Sequence, residues 1–327
     1  MGTPEGRGAG CGAPRLGRRP RAVTVHQAPV RGIGRAPRTV GRWPRTGADA
    51  SAVRSARSSP PGCAPRTLCP SAGPRRVGRP PHPPPGGAVK LTVVLPVITD
   101  AFTEEVRREV GAWVSPGTEV EVRRIARGTA SIESEYDEAL AGPGILDAVG
   151  EAAADGADAV FVSCFGDPGV QAAREIVDIP VVGGFEPAVL TSLALGERTG
   201  VITVLPNVLP MLHGLVRRYA LTGRVGPIRV VDIPVLDLDA GDRLVEALAE
   251  QARAAVAARE ADVIVLGCTG MLGVAAALQE RLAAEGPFVP VVDPTGAAIM
   301  WLESQVRLGV RPSRTTYLPP RPKDRIA

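Results

Sequence analysis

Beyond residue 88 the chain alternates two hydrophobic patterns. Short apolar runs rich in β-branched residues fall at 91–95, 119–123, 159–163, 181–182, 200–205, 228–232, 263–266 and 289–292, and they read as strands. Between them, at 103–113, 144–154, 169–176, 211–219, 243–259, 271–284 and 296–307, apolar residues recur every three to four positions, as on helices. Most of the strand runs are apolar on both faces, the pattern of parallel sheets covered by helices on either side. The predicted class is α/β.

The chain also repeats itself. Val94-Leu95-Pro96 returns 110 residues later as Val204-Leu205-Pro206, and Val106-Arg107-Arg108 returns at the same spacing as Val216-Arg217-Arg218. Asp158-Ala159-Val160-Phe161-Val162-Ser163-Cys164 returns after 104 residues as Asp262-Val263-Ile264-Val265-Leu266-Gly267-Cys268. Ile179-Pro180-Val181-Val182 returns after 110 as Val289-Pro290-Val291-Val292. Four blocks in one order predict two pseudo-symmetric lobes over 89–199 and 200–312, each with a parallel sheet flanked by helices, and a C-terminal tail over 313–327. The last helix, 296–307, is a candidate to pack back on the first lobe.

Composition narrows the function. Of 327 residues 44% are hydrophobic and only 3% aromatic, too few rings for a stacking platform that reads single-stranded nucleic acid. The net charge of +4 points to a polyanionic partner until it is divided by position. Residues 1–88 hold 16 Arg, no Lys and two acids, Glu5 and Asp49, whereas the remainder sets 22 basic side chains against 32 acidic ones. The folded part is therefore acidic, and no nucleic-acid or membrane partner is expected, only a small-molecule substrate. With 16 Pro and 15 Gly, residues 1–88 cannot offset chain entropy by apolar burial and are expected to be disordered. Three readings of that stretch compete: a phosphate-gripping arm, a targeting peptide, or an extension upstream of a translation start near Val89. A secretory signal would need an apolar core that the stretch lacks, and the strand-like Val89-Lys90-Leu91-Thr92-Val93-Val94 favours the third reading.

The cysteines divide in the same way. Cys11, Cys63 and Cys69 lie in the leading segment, where the five-residue gap between the last two is a poor zinc spacing. The odd total of five, with no secretory signal and no 18-residue apolar run, predicts a reducing, cytoplasmic setting. No phosphate-binding loop, H-E-x-x-H or C-x-x-C occurs, and the only lysines are Lys90 and Lys323, so neither a metal nor an organic cofactor is expected.

Cys164 and Cys268 each end a buried strand and precede a turn, Cys164-Phe165-Gly166-Asp167-Pro168-Gly169 and Cys268-Thr269-Gly270-Met271. Ligands of open parallel sheets sit beyond the carboxyl ends of the strands, so two like lobes would place one thiol on each side of a cleft. A lone cysteine at such a place is commonly a small hydrophobe, but two at equivalent places form a candidate catalytic pair. A helix N-terminus after each would lower its pKa below the free value of about 8.5 and make a base. Facing thiols could then invert a carbon beside a carbonyl, its enolate oxygen held by the turns at Phe165, Gly166, Thr269 and Gly270.

Several blocks carry a family resemblance. Gly128-Thr129-Ala130-Ser131-Ile132-Glu133-Ser134-Glu135-Tyr136-Asp137-Glu138-Ala139, Cys164-Phe165-Gly166-Asp167-Pro168-Gly169, Pro180-Val181-Val182-Gly183-Gly184-Phe185-Glu186 and Leu266-Gly267-Cys268-Thr269-Gly270-Met271 resemble the hydantoin racemase branch of the aspartate/glutamate racemase superfamily. The resemblance covers about 90–312 and implies an aspartate/glutamate racemase-like fold and cofactor-independent racemisation by a cysteine pair, on Cys164 and Cys268. The branch commonly carries an Asn-Pro-Asn-Thr-like turn after its first strand, where this chain reads Leu95-Pro96-Val97-Ile98-Thr99. The expected activity is that of an isomerase acting on a hydantoin or related amino-acid derivative. The alternatives are a single-cysteine decarboxylase or cis–trans isomerase of the same superfamily, and a two-lobed ligand-binding protein whose thiols sense oxidation.

Lesser candidates surround this pair. Asn207, Thr99 and Ser131 are candidate substrate contacts, each with a bland reading as a loop, strand-end or helix-cap residue. Thr99 and Thr203 are the weaker of these, as strand-end residues, Glu133 shares Ser131's loop, and Asp167 reads first as turn chemistry. Glu186 and Asp293 read as acids complementing helix dipoles, and His213 as an ordinary helix residue. The apolar stretch 201–212 is expected to be exposed and so to favour a homo-oligomer.

Overall fold

In the computed structural model, which describes residues 88–238 and 241–324, the apolar runs form two four-stranded parallel sheets covered by helices, as the α/β class requires. The Arg-rich segment with its three cysteines lies outside the described residues. The first half runs β1 (Val89–Leu95), α1 (Thr103–Trp113), β2 (Thr118–Arg124), α2 (Glu135–Ala154), β3 (Ala159–Val162), α3 (Val170–Ile176), β4 (Val181–Val182) and α4 (Phe185–Ser192). The second runs β5 (Thr199–Thr203), α5 (Leu209–Arg218), β6 (Val225–Val230), α6 (Asp242–Ala257), β7 (Val263–Leu266), α7 (Ala275–Glu285), β8 (Val291–Val292) and α8 (Pro294–Leu308). Strand order is β2-β1-β3-β4 in one sheet and β6-β5-β7-β8 in the other, the same order twice. The inner strands β3 and β7 are buried at every position, whereas the edge strand β2, Thr-Glu-Val-Glu-Val-Arg-Arg, alternates exposed and half-buried residues over most of its length.

The strand registers refine the repeat. Leu91 pairs with Ala159 and Thr199 pairs with Val263, so the 104-residue spacing between β3 and β7 equates Leu91 with Thr199, 108 residues apart. Leu95 thus corresponds to Thr203, and the Val-Leu-Pro identity is two residues out of register. A slip of two preserves the in–out alternation of a strand, which is why the sequence comparison does not detect it. The 104-residue block and the 110-residue spacing between β4 and β8 match the observed pairings.

Three helices differ from the sequence reading, one of them α7, which starts at Ala275 rather than 271. The chain enters α2 at Glu135 rather than 144, because Ser134 accepts the Asp137 N–H as N-cap while its hydroxyl donates to the Asp137 carboxylate. Pro143 and its glycine neighbours hide those first turns from the apolar period. Gly144 serves packing: a side chain there would collide with the Arg127 carbonyl. The third helix, α4, follows Gly183-Gly184 and carries Pro187 in its first turn, which disguises it as a loop.

Elements of the two halves interleave. Helix α8 packs on α1, β3, β4 and α4, while α4 also lies against β7 and β8. One apolar cluster joins residues of both halves, from Ile145, Val160 and Phe185 to Val201, Leu248 and Val265. A second lies under α1 and α8 on the other face of the first sheet. Beyond α8, Arg314 reaches the Arg174 and Val177 carbonyls and the Asp178 carboxylate, pinning the tail to α3. The stretch 201–212, expected to be exposed, is mostly internal: Val201, Ile202, Val204, Val208, Met211 and Leu212 are buried, because it forms central strand β5 and the inner face of α5. No helix among the described residues is long and apolar enough to cross a membrane.

Candidate active site

Each thiol sits two residues beyond a central strand. The Ser163 N–H donates to the Val94 carbonyl at 2.9 Å and the Gly267 N–H to the Ile202 carbonyl at 2.7 Å, so each ladder holds the chain up to the residue before its cysteine. The two turns meet at Gly184, whose missing side chain leaves room for the Thr269 methyl and the Phe165 backbone, and whose N–H donates to the Cys164 carbonyl at 3.0 Å. Asp167, at φ 51°, turns its carboxylate onto the Phe185 N–H at 2.8 Å and the Glu186 N–H at 3.2 Å, so it caps α4 from another turn. Burial pushes that carboxyl up to about 7 against the pull of these amides. Glu186 pairs with Arg174 at 2.5 Å, and Phe185 packs edge-on to Phe165 and stacks on Tyr219.

Cys164 and Cys268 line one cavity, with Phe165, Gly166, Thr269 and Gly270 beside them. The rest of the wall is largely apolar, including Leu95, Val97, Phe102, Ile132, Met211 and Val235, with the hydroxyls of Ser163, Thr203 and Thr269 as polar points. None of the described residues lining it is charged. Both thiols are free.

The expectation of acidic thiols is overturned. Burial raises Cys164 well above the ordinary thiol range, against a Gly166 N–H and with added repulsion from Cys268, Asp167 and Glu138. Burial pushes Cys268 up to about 11, against the Gly270 and Met271 N–H groups and with Glu133 adding to the rise. Burial is the main cause and no helix start offsets it, since α3 begins six residues after Cys164 and α7 seven after Cys268. Only turn amides reach the sulfurs, the Gly270 N–H lying 3.3 Å from Cys268 Sγ. Some of the amides expected to hold an enolate are thus already directed at the thiols.

Of the other expected contacts, Thr203 lines the cavity and donates to the Gly267 carbonyl at 2.9 Å. Thr99, Ser131 and Asn207 do not line it: Thr99 accepts the Ala101 N–H, Asn207 is exposed, and the helix cap expected of Ser131 is Ser134. Asp293 caps α8, and His213 is exposed on α5. Sequence reasoning missed Ile132, Met211 and Val235 as wall residues; Val235 follows β6 in a stretch with no period to mark it. Among the described residues no group of three His, Cys, Asp or Glu side chains could hold a metal ion.

The family model described as Asp/Glu/Hydantoin racemase matches residues 91–302. A hydantoin racemase of Pseudomonas sp. (strain NS671) is 35% identical over 240 residues, 73% of this chain and 94% of that protein. A hydantoin racemase of Paenarthrobacter aurescens is 36% identical over 69% of this chain and 94% of its own length. Allantoin racemase from Klebsiella pneumoniae superposes with a TM-score of 0.68 at 33% identity, covering 73% of this chain and 96% of that one. An arylmalonate decarboxylase, at 18% identity and a TM-score of 0.51, shares the fold. The chain belongs to the Asp/Glu/hydantoin racemase family.

Proposed function

We propose that the protein is a cofactor-independent racemase that moves a proton between opposite faces of a carbon next to a carbonyl, with Cys164 and Cys268 as the two acid/base groups. The observation that carries this reading is that equivalent turns of the two halves deliver one sulfur each to a single cavity. One cysteine, as thiolate, acts as base on one enantiomer while the other, as thiol, delivers a proton to the opposite face; the opposite enantiomer uses the reversed protonation state. The developing enolate oxygen is held by uncharged donors of the two turns, among them the Thr269 and Ser163 hydroxyls.

The cavity chemistry also favours a class of substrate. Burying an ionised carboxylate or ammonium against an uncharged, mainly apolar wall is costly, which disfavours free amino acids. A neutral cyclic derivative fits, and we assign a 5-substituted hydantoin, with an apolar substituent preferred over the polar ureido group of allantoin. The chemistry needs both thiols reduced, and we place the enzyme in the cytoplasm on that ground.

The test is optical. Circular dichroism of a single-enantiomer hydantoin should decay with the native protein, and both Cys164→Ser and Cys268→Ser should slow it by about 100-fold or more, since a hydroxyl is a far weaker base than a thiolate. Full activity in either variant ends the two-thiol reading, and CO2 release from a malonate-type acid by a single-cysteine variant would support the decarboxylase chemistry instead.

A further inference from the structure

Glu133 spans the two halves at the cavity. Its backbone is fixed at the start of α2, where its N–H donates to the Asp137 carboxylate at 3.2 Å and the neighbouring Ser134 is the N-cap. From there its carboxylate crosses to the second half and accepts the Val235 N–H at 2.7 Å. Val235 opens a one-turn 3-10 helix, Val235–Asp237, after Pro234, and no earlier carbonyl of that turn can take its N–H. Val235 itself lines the cavity, as does Ile132 beside Glu133. The Val235 and Leu238 side chains lie 3.9 and 3.1 Å from where a Gly270 side chain would begin, on the turn that holds Cys268.

We propose that Glu133 is a positioning residue, whose carboxylate clasps the Val235 turn over Cys268 and so joins the two halves along one wall of the cavity. The proposal rests on the reading of Cys268 as an acid/base group. The clasp has a second effect, because a carboxylate so placed opposes ionisation of Cys268. The other titratable group facing Cys268 is Cys164, on the opposing turn. Asp167 and Glu138 act on Cys164 instead, and Asp237 on the Val235 turn is exposed.

Glu133→Gln keeps an acceptor for Val235 but removes the charge; Glu133→Ala removes both. In the full chain, the pH dependence of Cys268 alkylation by iodoacetamide, read by peptide mass spectrometry, should move about half to one unit to lower pH in Glu133→Gln. At pH 8 that is roughly a three- to tenfold faster alkylation. The rising limb of kcat/KM should move with it, while KM stays near the native value. In Glu133→Ala, KM should rise by about tenfold as the wall loosens, and the Gln variant should restore most of that loss. An unmoved alkylation profile in Glu133→Gln, or a native KM in Glu133→Ala, overturns the proposal. Because alkylation is independent of turnover, a shifted profile with no racemisation in the native protein would instead overturn the function assigned above.

Discussion

At the scale of single residues, the two sulfurs are tuned by burial rather than by a helix. Apolar walls keep both thiols protonated at neutral pH, and the one-thiolate form that the proposed racemisation requires grows tenfold for each pH unit below the first thiol ionisation. The logarithm of kcat/KM is therefore expected to rise with a slope near 1 between about pH 6.5 and 8.5, measured with a hydantoin that does not itself ionise there. A plateau setting in by about pH 8, as an ordinary or acidified thiol would give, contradicts this. The cysteine pair was legible in the sequence because apolar β3 and β7 run directly into it, but its electrostatics were not. Whether a sulfur meets a helix start or a short turn depends on where the next helix begins, and five or six intervening residues decide it. Asn207 was read from its place after Pro206 in the repeat and Thr99 from its place at a strand end, and neither position says which way a turn faces.

At the scale of elements, α8 depends on one buried carboxylate. Glu303 accepts the Ser115 N–H at 2.8 Å, the Ser115 hydroxyl at 2.5 Å and the Thr118 hydroxyl at 2.6 Å, fixing α8 to the end of α1 and the start of β2. Burial raises its pKa, but these hydrogen bonds outweigh that and hold it below the usual carboxylate value. A depressed folded-state pKa stabilises above the unfolded value and is lost as pH falls through the folded one. Glu303→Ala is expected to cost about 2–3 kcal/mol, seen as a lower Tm at pH 7, and to lose less as the pH drops through the acidic range. An unchanged Tm at pH 7 contradicts the anchoring role. The strands were legible from their apolar runs, and so was the repeat, but not its register at β5, where a two-residue slip keeps the same alternation. Helix α4 was marked only by Glu186 as a first-turn acid, because Gly183, Gly184 and Pro187 read as a turn, while in the fold the Asp167 carboxylate supplies the cap.

At the scale of the whole molecule, two like sheets share a core and bring the carboxyl ends of their central strands to one cavity. Pseudo-symmetry supplies two equivalent groups, and proton transfer on opposite faces of one carbon needs two. The two sulfurs are equivalent in place but not in surroundings: burial dominates at both, with Glu133 adding to the rise at Cys268 and Cys268, Asp167 and Glu138 adding to it at Cys164. Racemisation of a single-enantiomer hydantoin in D2O, with the two enantiomers separated by chiral chromatography at early times and deuterium at the 5-position read by NMR in each after correction for uncatalysed exchange, addresses this arrangement directly. With two groups on opposite faces, the newly formed enantiomer should carry deuterium while the remaining starting enantiomer keeps its protium. Deuterium appearing equally fast in both would mean a single base working on one face, and would contradict the account.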